Sequence, residues 1–380
     1  MSDAEGPGAC DLTARLAPEI LTEIFLTLLA NAEHSDSEIL SRNPSWLLSQ
    51  VCGRWRAIAL STPRLWCSLL PFTNEIHGRR PFPVSSVLAL ASAHIERSKP
   101  LPLKLRVNPE WWFKDCHPLL NLLLLPSQTA RWGEVRILHA REDDARSQSI
   151  LAALKSNTFT CLKTLCLEVC DFTGEPSRIM LPMLTSLTLF MSSPSLLKTL
   201  STPLLSHFKV KYILLGRNDH RTSASTDFVS FIQKYTSSLT RLELDVSNIN
   251  AGDLAGLLKK LPILTELRLS DMISQLPTLF SDALLNGLRS QTREPCALPQ
   301  LQTLSISGDL LSSATSLLLD VLESRCHGSE TCGPLRSVQL YLYAPFKPET
   351  TRRLKTLAET GMDIAAFIFA SGHWVQVELK

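Results

Sequence analysis

Cys326, His327 and Cys332 are side chains of the types that ligate zinc, set close together in a Gly- and Ser-containing stretch. They offer three ligands where a closed structural site uses four, and their spacing is not that of a zinc finger. No metal is expected there, and the thiols are expected to be free. Asp143 and Asp144 form a carboxylate pair in a charged stretch, suited to solvation more than to acid–base work. The nine histidines are scattered, with none at helical i, i+4 spacing from another. The chain has no GxSxG elbow, no P-loop, no GxGxxG, no HExxH and no EF-hand loop. Intrinsic catalysis is therefore not expected, and no cofactor is called for.

The ten cysteines include no CxxC pair, and Cys161, Cys166 and Cys170 fall in a leucine-rich stretch where cysteine serves as a small hydrophobe. The N-terminal MSDAEGPGACD lacks the basic and apolar regions of a secretory signal. No apolar run approaches the roughly 20 residues of a membrane span. The expectation is a reducing compartment, cytoplasmic or nuclear, with no membrane partner. Basic residues number 38 and acidic ones 36, a net charge of +2, so the basic face of a nucleic-acid binder is not expected either. At 380 residues, 44% hydrophobic and 19% charged, the chain is globular in composition and long enough for two domains, or one domain and an elongated array.

The first elements are helical. In LAPEILTEIFLTLL, Leu16, Ile20, Leu21, Ile24, Phe25, Leu28 and Leu29 recur at helical spacing, with Pro18 suited to the first turn. A second start follows at Asn43-Pro44, and Leu47, Leu48, Val51, Cys52, Trp55, Ile58 and Ala59 continue one apolar pattern to Ser61. Trp55 and Trp66 are large enough to organise a small core. Bulky side chains stabilise by about 1.5–3 kcal/mol each when fully buried, and the first helix carries more of them than so small a module covers. Either the rest of the chain or a partner must cover the remainder.

Three ordered blocks here, L-x-P-E-I-L-x-E-I-F-x-x-L, V-C-x-R-W-R-x-I-A and L-W, resemble an F-box, over about Leu12 to Leu69. That resemblance implies a three-helix module docking on the Skp-type adaptor of a cullin–RING ubiquitin ligase. It carries adaptor contact onto Leu16, Pro18, Glu19, Ile20, Leu21, Ile24, Leu28, Val51, Cys52 and Trp55, with Trp66 packing the module's end. The usual Leu-Pro pair is here Leu16-Ala17-Pro18, and the connection from Ala30 to Trp46 is longer than a minimal F-box loop. The alternative is a helical subdomain that packs on the rest of the chain and caps it.

Residues 71–82, rich in proline, read as a linker, and 83–130 as a helix–strand–helix lead-in. From Trp132 a template recurs with apolar residues at i, i+3 and i+5, as in TCLKTLCLEVC, LPMLTSLTLF, SSLTRLELDV and LPILTELRLS. The intervals from 162 to 184, 184 to 205 and 239 to 264 fall in the roughly 20–29 residues of leucine-rich repeats, and longer ones imply insertions. Segments of helical period lie between, such as Phe228, Phe231, Ile232 and Tyr235. The region 131–380 looks like an irregular leucine-rich-repeat domain; a compact α/β domain with a parallel sheet is the competing fold.

The expected fold class is thus α+β overall. Residues 1–11 form a flexible N-terminus, 12–70 an all-α F-box-like module, and the remainder an irregular α/β solenoid. If its strands stack in parallel, residues alternating with the buried leucines line one concave, solvated face. Lys209, Lys211, Arg241, Glu243, Asp245, Glu266 and Arg268 bring mixed charge to adjacent strands of it and are the candidate contacts for a target protein. The function expected is a non-catalytic substrate receptor; the alternative is a leucine-rich interaction scaffold without a ubiquitin role.

Overall fold

A computed structural model describes residues 15–34, 44–69, 84–107, 117–141, 145–156, 159–170, 178–191, 195–212, 221–245, 249, 251–270, 282–289, 297–308, 312–328, 332–343, 345–370 and 373–378. The N-terminus 1–11, the linker 71–82 and the Asp143–Asp144 pair lie outside the described residues. The chain is mixed α/β and divides into two units, residues 1–136 and 137–380. Among the described residues no helix is long and apolar enough to cross a membrane.

The first unit opens with α1 (Pro18–His34), α2 (Pro44–Val51) and α3 (Gly53–Ser61), a 3-10 turn at Pro63–Trp66 and the short strand β1 (Ser68–Leu69). It continues with α4 (Val84–Arg97), β2 (Leu103–Val107), α5 (His117–Leu123), α6 (Pro126–Thr129) and β3 (Trp132–Arg141), which runs across the boundary. Pro18 supplies the fixed φ of a first helical position, and the Ala17 carbonyl accepts from Ile20 and Leu21. One continuous helix was expected from Pro44 to Ser61, but the chain breaks at Cys52, whose backbone is extended. Its Sγ accepts from the Trp55 amide and caps α3, and Gly53, a poor helix former, follows the break.

Leu21, Phe25, Leu29, Leu48, Ile58, Ala59, Leu65 and Trp66 form one buried cluster, with Leu16, Leu26, Trp46 and Trp55 packed against it. The Trp66 indole donates to the Ala59 carbonyl at 2.8 Å, so the largest buried side chain has its polar end satisfied. The Arg97 guanidinium lies 4.6 Å from the Trp46 ring and 4.4 Å from that of Trp66.

His94, on α4, is fully buried, its ring 5.0 Å from Trp66 and its Nδ1 3.3 Å from the Trp66 carbonyl. Burial pushes its pKa from 6.5 down to about 4; the Trp66 carbonyl opposes the fall and Arg97 adds to it. Unfolding frees the imidazole to take up a proton. The stability held by the neutral ring is complete above its ordinary pKa of 6.5 and lost as the pH falls toward about 4. The full shift corresponds to up to about 3 kcal/mol. The melting temperature of the first unit should fall over that window, and His94→Phe should flatten the fall; an equally steep fall in the variant would remove His94 as its cause.

The second unit contains α7 (Ala145–Ser156), β4 (Thr164–Cys170), β5 (Ile179–Met180), β6 (Ser186–Met191), α8 (Ser195–Thr199), β7 (Leu200–Ser201) and β8 (His207–Tyr212). It goes on through α9 (Arg221–Gln233), β9 (Arg241–Asp245), α10 (Ala251–Leu258), β10 (Glu266–Ser270), α11 (Asp282–Leu288) and β11 (Thr303–Gly308). It ends with α12 (Ser312–Cys326), β12 (Ser337–Leu342), α13 (Pro348–Glu359), β13 (Asp363–Ala370) and β14 (His373–Gln376). In its sheet β4, β6, β8, β9, β10, β11, β12 and β13 lie side by side in chain order and parallel, and β14 turns back antiparallel on β13.

The entries of four strands, β6, β8, β10 and β11, have the same local cause. In Leu181-Pro182-Met183-Leu184, Thr202-Pro203-Leu204-Leu205, Leu261-Pro262-Ile263-Leu264 and Leu298-Pro299-Gln300-Leu301, the last amide donates to the first carbonyl, and proline sits second, where its fixed φ suits a β-turn. The strands themselves alternate. Leu187 and Leu189, Leu242 and Leu244, Leu267 and Leu269, and Leu304 and Ile306 are all buried. Phe228, Phe231 and Ile232 on α9, Leu254, Leu257 and Leu258 on α10, and Leu284, Leu285 and Leu288 on α11 are buried as well. Arg325 is fully buried too, donating to the Leu288, Ala297 and Leu298 carbonyls, and burial pushes its pKa down to about 10.

Candidate functional site

The helix α1 carries two apolar stripes one residue out of phase. Leu21, Phe25 and Leu29 point into the module's core, and Leu21 is only 1% exposed. Ile20, Ile24 and Leu28, each one residue earlier, are turned outward at 51%, 40% and 48% exposure. On α2, Leu48 is buried while Leu47 and Val51 are exposed, Val51 by 60%. A stripe of two β-branched residues and a leucine on a helix that already has a full inner face is more than the module's own packing uses.

Of the ten positions expected to contact an adaptor, Pro18, Glu19, Ile20, Ile24, Leu28 and Val51 are exposed. Leu16, Cys52 and Trp55 are half-buried. Leu16 packs against the core and its carbonyl accepts from Arg54; Trp55 stands 4.8 Å from Phe25. Leu21 is the correction. Helical spacing made it a neighbour of both Ile20 and Ile24, and the packing of α1 on α2 and α3 turns it inward.

The second candidate is a face of the sheet. The register aligns His207, Arg241, Glu266 and Thr303 in one row, and Lys209, Glu243, Arg268 and Ser305 in the next. Glu243 lies at the centre. Lys209 Nζ is 2.5 Å from one carboxylate oxygen and Arg241 Nη2 is 2.6 Å from the other. Arg268 Nε and His207 Nε2 stand at 3.7 Å, beyond hydrogen-bond reach. Glu266 accepts from Arg268 at 2.7 Å and pairs with Arg241 at 3.3 Å. Burial pushes the Glu243 carboxyl up, but its contacts with His207, Lys209 and Arg241, with the Lys209 charge, hold it well below the usual carboxylate range.

These pairings correct the expectation of a solvated row of mixed charge. Glu243 and Asp245 are buried, at 7% and 4% exposure, and do not meet solvent as ligands would. Lys209, Arg241, Glu266 and Arg268 are half-buried and committed to one another, while Lys211 is exposed, its ammonium 5.9 Å from the Phe190 ring. The hydropathy pattern placed all seven on one side of the strands, and it holds no information on which carboxylates lie beneath which cations.

The Cys326, His327 and Cys332 group does not converge. Cys326 Sγ lies 2.8 Å from Thr360 Oγ1, and His327 is exposed. Cys332 is buried and disulfide-bonded, which corrects the expectation of a free thiol there. Gly333 donates to the Pro299 carbonyl at 2.7 Å, so folding brings this segment against one distant in sequence, and sequence spacing could not report that. Among the described residues no three His, Cys, Asp or Glu side chains could together hold a metal ion. No protein-family model matches the chain, and no curated protein matches it.

Proposed function

We propose that the chain is the substrate-receptor subunit of a Skp–cullin–F-box ubiquitin ligase. The first unit's helices dock on a Skp-type adaptor, and through it on a cullin; the second unit, read as an irregular leucine-rich-repeat array, holds a target protein. The observation that carries the reading is the outward stripe of Ile20, Ile24 and Leu28 on a helix whose inner face is already packed. An apolar partner surface laid on that stripe removes it from water, and about 25 cal/mol per Å2 of buried apolar area favours the contact. Val51 and Leu47 on α2, exposed as well, are read as part of the docking face.

The ordered blocks that resemble an F-box coincide with these helices, and the four x-Pro-x-Leu turns followed by parallel strands in chain order support the repeat reading. The chain makes and breaks no bond in this role. It raises the local concentration of the target beside a ubiquitin-loaded partner, where tethering supplies effective concentrations on the order of millimolar. The receptor acts in cytoplasm or nucleus.

Hydrogen exchange of the full chain with and without a recombinant Skp-type adaptor tests this. Amides of 18–34 and 44–51 should gain protection on addition of adaptor while those of β9–β11 stay unchanged. No change in either region at saturating adaptor, or protection confined to the sheet, would contradict the assignment.

A further inference from the structure

The charges over β8–β10 lie in two layers. The carboxylates of Glu243 and Glu266 are innermost, their side chains 9% and 20% exposed, whereas Lys209, Arg241 and Arg268 are 28%, 35% and 39% exposed. Each carboxylate is shared between cations, which fixes the cations in place and leaves their outer N–H groups toward solvent. Lys211 extends the outer layer and makes no ion pair among the described residues. Asp245 is buried, and the next carboxylate in the row of Lys211 is Glu168, two strands away. The group is close to neutral in sum and positive at its surface. On β11 the rows continue with Thr303, Ser305 and Ser307, small and uncharged, so no bulky or acidic side chain there opposes an extended segment.

We propose that this tray binds an acidic peptide segment, whose carboxylate or phosphoryl groups take the outward N–H donors of Lys209, Lys211, Arg241 and Arg268. The proposal rests on reading the second unit as the part that holds the target, and gives that target its chemistry. Charge-assisted hydrogen bonds from guanidinium groups are the strong ones, and here the guanidiniums are already oriented by Glu243 and Glu266. Less conformational freedom remains to be lost when the ligand binds.

Fluorescence anisotropy of the full chain with three labelled peptides tests this: one alternating Glu and Ser, one with Gln in place of Glu, and one with phosphoserine in place of Ser. The acidic peptide should bind and the Gln peptide should not, with affinity falling about tenfold between roughly 0.05 and 0.5 M salt. Lys211→Glu should weaken binding about tenfold or more, as should Arg268→Gln. Lys211→Glu should leave the melting temperature unchanged, since Lys211 holds no ion pair among the described residues. Tighter binding of the phosphoserine peptide assigns a phosphoryl source, and equal binding assigns carboxylates; both support the tray. Failure of every acidic peptide to bind at about millimolar concentration, equal binding of the Gln peptide, full binding by Lys211→Glu, or tighter binding of a thymidine oligonucleotide would overturn it. Adaptor binding is measured on the same preparations: peptide failure with adaptor binding intact removes the tray alone, and adaptor failure with peptide binding intact removes the ligase reading alone.

Discussion

Glu243→Gln is expected to destabilise the second unit by about 3–4 kcal/mol, although it changes one atom in size and shape hardly at all. The carboxylate is the inner partner of Lys209 and Arg241 and lies within 3.7 Å of Arg268. Its neutral amide would leave three cations on adjacent strands to repel one another with only Glu266 between them. Breaking a buried pair costs about 3–5 kcal/mol, and the partial exposure of the cations lets solvent relieve some of that. For a unit of this size the loss lowers the melting temperature by about 10 °C, which calorimetry would read directly. The wild-type contribution should also vanish in acid. The Glu243 pKa is held below its ordinary 4.5, so the stability it confers is present above that value and is lost as the pH falls through the depressed one. A variant that melts with the wild type at neutral pH would mean that the network is solvated and contributes little. Reversing Arg241 and Arg268 together should be harmful for the same reason, although both positions look in sequence like replaceable surface charges.

Much of the frame was legible because it rests on periodicity. The i, i+3, i+5 template located buried leucines from Leu162 to Leu340, and the period of 3.6 located the helices that follow them. Pro18 and Pro44 marked helix starts. What the sequence could not report was lateral. Strand alternation assigns a side of the sheet but not the register, and only the register sets Lys209 and Arg268 on either side of Glu243. Within α1 the broad apolar face was visible, whereas its division into an inner stripe through Leu21 and an outer one through Ile24 depends on where α2 and α3 pack. His94 gave no signal at all, because its place between Trp46 and Trp66 is made by segments far apart in the chain. The buried Arg325 was silent for the same reason: three backbone carbonyls hold it, and carbonyls leave no trace in a sequence.

The second large effect concerns Ile24, and it separates a docking surface from a structural cap. At 40% exposure its side chain contributes little to the fold of the unit, so Ile24→Asp should change the stability of the chain alone by no more than about 0.5 kcal/mol. In a desolvated interface the same carboxylate would have no partner, at a cost above about 2 kcal/mol, or more than about thirtyfold in affinity. Leu21→Asp should behave in the opposite sense, unfolding the module from within, since Leu21 belongs to its buried cluster. Titration calorimetry of a recombinant Skp-type adaptor into the wild-type chain and into Ile24→Asp, with melts of each chain alone, is the most direct measurement. The account predicts adaptor binding by the wild type, its loss in Ile24→Asp, and coincident melts. A wild-type chain that ignores the adaptor, or an Ile24→Asp chain that binds it fully while melting several degrees lower, would contradict it.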